Sequence, residues 1–275
     1  MFDALRRIFF FLFFLLICFT SPPAWATPQT QDRPSPNTIV RSIHERRGNW
    51  IALKAGLNLE FITPQGRKII CRGELAYQRL DEKILLRGFN EKNELLFAFK
   101  TLDRNFQLYL PLIGEDAHGS IFDLEDSPDI QSQLRALDLY RALKPGAIPV
   151  ERMNAVWQKN GNILIKIKKG KTGDLLSREI LASPKGDVLK EVFYSAAGTP
   201  SAEIFRSEFR EIKSKIVPKS FFPHRIEITA YPLAPKSGAP KKTVLLFTRL
   251  ELLSEIPASD FKFSIPENTK RLKLS

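Results

Sequence analysis

The sequence predicts a mainly β (α+β) fold, an incomplete antiparallel β-barrel curled around one or two helices, and three observations carry that expectation. Between Asn49 and Gly66, Ile51, Leu53, Ala55, Leu57, Leu59 and Phe61 alternate with polar or small residues, the period of a strand with one apolar face. Roughly a dozen short stretches share this period, separated by polar turns. Two stretches, of roughly ten and sixteen residues, show helical spacing; they are too short to cover one face of so many strands, so the sheet must bend back on itself.

The chain opens with Arg6 and Arg7, an apolar run from Ile8 to Phe19 and the small-Xaa-small site Ala24-Trp25-Ala26. These are the three parts of a secretory signal over residues 1–26. The apolar run is shorter than the about twenty residues a spanning helix needs, and Pro22 and Pro23 follow it. The competing reading is an uncleaved membrane anchor. Ile17 is too bulky to precede a lipidated Cys18, and Leu5 stands where a twin-arginine signal carries Ser or Thr. Export predicts the periplasm of a Gram-negative-type cell.

Residues 27–36, "TPQTQDRPSP", read as a Pro-rich disordered leader. Residues 37–275 then form a single domain, and the roughly 250 residues left after cleavage bury a sizeable core without staples. Cys71 is the only cysteine left in the mature chain, so no intramolecular disulfide forms. On the face of Ile69 and Leu75, it reads as a small buried hydrophobe.

The net charge of +12 falls to +11 once Asp3, Arg6 and Arg7 leave with the signal, and it draws the exported protein toward anionic surfaces, while export takes it away from nucleic acid. Lys166, Lys168, Lys169 and Lys171, in "KIKKGK", form a basic rim at a hairpin tip.

Ser35 or Asn37 caps a first helix carrying Ile39, Val40 and Ile43, with Gly48 closing it. A meander of strands follows from Asn49 to Leu110. Pro128–Leu143 is amphipathic, with Ile130, Leu134, Leu137 and then Tyr140 or Arg141 at helical spacing. A second series of strands runs from Arg152 to a final one at Phe261–Ile265. Side chains either fill the inside of such a curled sheet or leave a pocket, and patterning leaves both open.

The sequence offers no catalytic constellation. His44, His118 and His224 lie far apart without metal-ligand spacing. "GEDAHGS", which places His118 near Glu115 and Asp116, reads as a solvated loop. A phosphate-binding loop, a dinucleotide fingerprint and a nucleophile elbow are all missing. Neither an enzyme, a metal nor a cofactor is expected.

The C-terminal stretches "DVLKEVFYSAAGTPSAEIFRSEFREI", "FFPHRIEITAYP" and "KKTVLLFTRLELLSEIPASDFKFSIPENTKRL" follow one another in a recognisable order. Through Pro223, Arg225 and Ile226, then Asp260, Phe261, Phe263 and Pro266, this order resembles the LolA/LolB family of lipoprotein carriers and localisation factors. The readable motif covers about the last third of the chain. The resemblance implies a LolA-like half-barrel whose hydrophobic cavity receives acyl chains, with no catalysis. The family's arginine that ties lid helices to the cavity finds no specific match at Arg41, Arg46 or Arg47.

On this reading the cavity is lined by Leu57, Leu59, Phe61, Leu75, Phe97, Phe99 and Phe106 from the first strands. Leu134 and Leu137 come from the helix, and Phe205, Phe209, Phe261 and Phe263 from the second series. Each fits plain core as well. The expected role is a periplasmic carrier or binder of lipoproteins or lipids, taking part in outer-membrane lipoprotein sorting or lipid transport. It would act as a monomer, with envelope transport proteins and transient membrane contact as partners, its ligands two or three acyl chains. The alternative is a packed half-barrel whose basic rim engages an anionic polymer or protein, as an assembly or stress-sensing component would.

Overall fold

Period-two alternation becomes fourteen strands of one sheet among the described residues, which in this computed structural model are 34–46, 50–63, 65–121, 136–144, 146–169, 175–216, 220–232 and 239–273. The signal segment, most of the leader, Leu134 and Lys171 lie outside them. In chain order the first strands are β1 (Ala52–Ile62), β2 (Lys68–Gln78), β3 (Lys83–Phe89), β4 (Leu95–Leu102), β5 (Asn105–Leu110), β6 (Glu115–Ser120) and β7 (Met153–Trp157). They are followed by β8 (Ile163–Lys168), β9 (Leu176–Ala182), β10 (Val188–Tyr194), β11 (Pro200–Ile212), β12 (Ser220–Ala230), β13 (Lys241–Leu253) and β14 (Lys270–Lys273). The helices are α1 (Pro36–Arg46) and α2 (Ala136–Leu143).

The spatial order is β14-β6-β5-β4-β3-β2-β1-β13-β12-β11-β10-β9-β8-β7. Two antiparallel meanders are joined where β1 pairs β13, with Leu53 opposite Leu252 and Leu59 opposite Leu245. β14 adds to the edge in parallel with β6. The sheet curls, and because β14 and β7 end it without pairing, the barrel stays incomplete. A bulge between Gly56 and Leu57 adds Thr248 on β13, whose hydroxyl donates to the Gly56 carbonyl at 3.0 Å. Such an extra residue sharpens local twist and helps the sheet bend.

The concave face follows from the register. Leu57, Gly73, Gly88 and Phe97 form one cross-strand row. A Cβ on Gly88 would lie 2.1 Å from the Phe97 ring, and one on Gly73 2.8 Å from Leu59. Two opposed glycines thus let the large side chains of Leu57, Leu59 and Phe97 lie close over the backbone. Gly88→Ala is expected to cost about 1–3 kcal/mol by overpacking. Thermal melts of the Gly88→Ala, Phe97→Leu double-mutant cycle check this, because the smaller side chain should relieve part of the loss.

α2 lies in the concavity, with Leu137, Leu139, Ala142 and Leu143 packed into the core that holds Leu53, Leu57 and Phe99. α1 covers the other half, setting Ile39, Val40 and Ile43 on Ile163, Ile165, Ile180 and Val188. Gly186, at φ +87°, brings the β9–β10 turn against this helix, where a Cβ would stand 2.5 Å from the Ser42 carbonyl oxygen. Cys71 is buried opposite Leu59, and desolvation pushes its thiol up to about 11, so it stays protonated.

Two expectations are corrected. Glu115–Ser120, read as a loop, is strand β6, because pairing with β5 overrides its weak local preference. The expected last strand at Phe261–Ile265 is a 3₁₀ turn, Ala258–Phe261, and then irregular chain. Phe261 instead packs on the convex face beside Ala52, Ala76 and Leu85, and Phe263 packs against the same cluster. Strand pairing resumes only at β14.

Candidate functional site

Alternation places most concave positions in apolar hands, yet three neighbouring strands break the rule. Arg178 on β9, Glu191 on β10 and Arg206 on β11 occupy inward register with Ile180, Phe193 and Ile204. Glu191 is 0% exposed and accepts from both guanidinium groups. A carboxylate buried this deeply needs such close cationic partners to offset the cost of its desolvation.

The same two arginines hold the end of α2. Arg206 donates from Nη2 to the carbonyls of Ala142 at 3.1 Å and Arg141 at 3.3 Å. Arg178 donates to the carbonyls of Ala147 at 3.2 Å and Gly146 at 3.4 Å. The final carbonyls of a helix have no partner within it, so cations placed there satisfy them. Arg141 caps the cluster, stacked 4.3 Å over the Phe193 ring.

Between these ties and α1 lies a cavity of about 330 Å³. Its buried wall comprises Trp50, Tyr77, Leu143, Val188, Phe222 and Ile226. Trp50 and Tyr77 meet edge to face at 5.1 Å, as do Phe222 and Phe247, which keeps the aromatic wall rigid. The polar part comes from helix ends and turns. Arg46, in the last turn of α1, donates from Nε to Asp187 Oδ1 at 2.6 Å and stacks 3.2 Å over Phe221. Lys144, just past α2, pairs with Glu82 of the β2–β3 turn and donates to the Tyr140 hydroxyl at 2.9 Å. Its hydrogen bond holds the Glu82 carboxyl below the usual carboxylate range. Arg79 and Arg206 complete the lining cations.

The residues read from the sequence as cavity lining occupy several places. Leu57, Leu59, Phe61, Leu75, Phe97, Phe99, Phe106 and Leu137 are buried together in the core around α2. Phe205 lies on the convex side, 43% exposed, in the cross-strand row of Lys190 and Glu227. Phe261 and Phe263 are on the convex side as well. Phe209 lines the cavity. It does so although it shares the parity of Phe205, pairing with Pro223 of β12 in the same register that sets Phe205 opposite Glu227.

Lys166, Lys168 and Lys169 lie at the end of β8 opposite the Gly186-Asp187 turn, away from the cavity, and Lys166 pairs with Glu179 at 3.4 Å. His118 sits on β6, across from Gln107. Among the described residues no cluster of three or more His, Cys, Asp and Glu could hold a metal, and no helix is long and apolar enough to cross a membrane. Sequence reading missed Trp50, Tyr77, Phe222, Arg206 and Glu191. The charges at inward positions of β9 to β11 were the available signal.

No family model and no curated protein sequence matches the chain. Solved structures do. A domain named for outer membrane lipoprotein sorting, from Vibrio parahaemolyticus, matches with a TM-score of 0.57 at 14% identity, covering 82% of this chain and 94% of its own. A LolA superfamily protein from Nitrosomonas europaea matches with a TM-score of 0.55 at 14% identity, covering 84% of this chain and 99% of its own. A DUF1329 family protein from Desulfovibrio piger matches with a TM-score of 0.56 at 10% identity, covering 82% and 95%. The open curled sheet, the helix held in its concavity and these matches agree: the chain has the LolA-like fold.

Proposed function

We propose that the protein is a non-catalytic periplasmic binder and carrier of acylated molecules, lipoproteins or lipids, which enter the cavity between the helices and the sheet. The observation that carries this reading is the cavity itself, an apolar space left open where both helix ends meet the sheet and are fastened by polar ties. Burying each CH₂ of a chain contributes about 0.8 kcal/mol, so a chain of even modest length outweighs any one of those ties.

Release then works by exchange. As α2 settles back, Leu143 and its neighbours replace the chain as cover for Phe222 and Ile226, and Arg206 recovers its two carbonyls. One set of apolar contacts is traded for another, so loading and unloading lie close in free energy. The sorting role named for the structural match from Vibrio supports the assignment of cargo as acylated.

Native mass spectrometry of protein purified from cell envelopes, together with titration of a fluorescent fatty-acid probe, tests the proposal. Co-purifying lipid and saturable probe binding are expected. Ile226→Asp, which puts a charge in the wall, should abolish binding in a protein shown to be folded by circular dichroism. Phe205→Asp, on the exposed side, should leave it unchanged. Protein free of lipid that also ignores the probe would refute the reading.

A further inference from the structure

The two ends of the open sheet are defended unequally. The edge strand β14 carries Lys270, Arg271 and Lys273 in four residues, and like charges of that density repel a second copy of the same edge. The other edge, β7, reads Met153-Asn154-Ala155-Val156-Trp157, with no charge and no proline. We infer that β7 pairs with β7 of a second copy of this chain, antiparallel about a two-fold axis at Ala155, and so joins two half-barrels through one continuous sheet.

The backbone of β7 is turned the right way for this. The Gln158 N–H donates to the Asn162 carbonyl at 2.8 Å and closes the β7–β8 hairpin. From that pair, alternation along the ladder aims the backbone groups of Val156 and Asn154 at β8 and those of Met153, Ala155 and Trp157 away from it. Among the described residues no further strand lies there. Such a row of unpaired donors and acceptors is a template for another strand.

The side chains fit the same axis. Met153, Ala155 and Trp157 are half-buried and pack on the core under α1, so pairing brings Met153 beside Trp157 of the second copy and extends that core across the axis. On the convex side Val156, 50% exposed, comes to lie across from Asn154 of the second copy. Charge agrees. Glu151, just before the strand, and Lys159, just after it, are both exposed and equally spaced about Ala155, so each lands beside the opposite charge of the other copy. The contact Glu151 makes within the chain, with the adjacent Arg152 at 3.7 Å, is exposed and of little weight. None of the five strand residues lines the cavity, so pairing and cargo binding are separate events.

Sedimentation velocity of the mature protein over a dilution series tests the inference. A dimer that dissociates on dilution is expected, with nothing larger. Ala155→Pro removes an outward N–H that β8 does not use, so the chain keeps its own ladder. It should weaken the dimer at least about thirtyfold, the scale of the two backbone hydrogen bonds lost about the axis. Binding of the fatty-acid probe should stay unchanged. Glu151→Lys and Lys159→Glu, at exposed positions where folding is not at stake, should each weaken the dimer about threefold to tenfold, and the double variant should recover it.

A monomer at every concentration up to the millimolar range overturns the inference and leaves the edge to a strand from a different protein. A dimer that Ala155→Pro does not weaken uses another surface and overturns it too. Charge reversals that the double variant fails to repair overturn the register at Ala155. Species growing beyond a dimer, as head-to-tail addition of β7 to β14 would give, overturn the two-fold arrangement.

Discussion

Glu191→Ala is expected to cost about 3–5 kcal/mol of folding free energy, because it strands Arg178 and Arg206 as buried cations facing one another without their shared counter-ion. The loss extends beyond the pair. Both arginines also hold the carbonyls that end α2 and begin the following loop, so mutual repulsion should loosen the helix as well. Urea denaturation measures the stability, and hydrogen exchange at residues 139–144 reports the helix. Glu191→Gln separates charge from shape, since it keeps the volume and should still lose most of the energy. Replacing all three residues by apolar ones of similar size should restore much of it, because burying charges is itself costly. A change below about 1 kcal/mol in Glu191→Ala would show that the cluster is solvated and is no structural anchor.

Phe99→Ala should cost a similar amount, about 3–5 kcal/mol. Phe99 is fully buried on β4 between Leu86 and Leu108 in the register, under the cover of α2. Its removal forfeits the transfer energy of the ring and leaves a void that the surrounding strands, locked by their ladders, cannot close. Phe205→Ala is the matched control. The sequence pattern puts the two phenylalanines in the same class, but Phe205 is on the convex surface and its loss should stay within about 0.5 kcal/mol. Equal effects would mean that the two faces of the sheet have been assigned wrongly.

The contrast between these two residues shows where sequence reading succeeds. On β1, alternation from Leu53 to Phe61 reads correctly because the strand is long and one of its faces is covered throughout. On β11, alternation is equally regular to the eye, yet Phe209 lines the cavity while Phe205, of the same parity, is exposed on the convex side. No residue type announces that difference. Gly73 and Gly88 are a similar case. In the sequence they are two separate glycines, and only the β2–β3 register sets them opposite each other under the large side chains of the concave face.

Tyr77 and Phe222 form the cavity wall although they are more than a hundred residues apart, because the order of strands in the sheet brings both beneath the ends of α1 and α2. The Arg178–Glu191–Arg206 cluster was partly legible, since charged residues at inward positions of adjacent strands need partners. Which partners they have, and that they also grip a helix end, depends on where α2 settles.

The sequence by itself determined most of the strands, their polar turns and a sheet with more apolar surface than two helices can cover, because these follow from local periodicity and composition. The tertiary structure alone decided that the edge segments at Glu115–Ser120 and Lys270–Lys273 are strands, that most of the concavity is filled, and that the remaining space lies at the ends of the helices. These outcomes rest on pairing and packing between residues far apart in the chain, whose energies no local pattern contains.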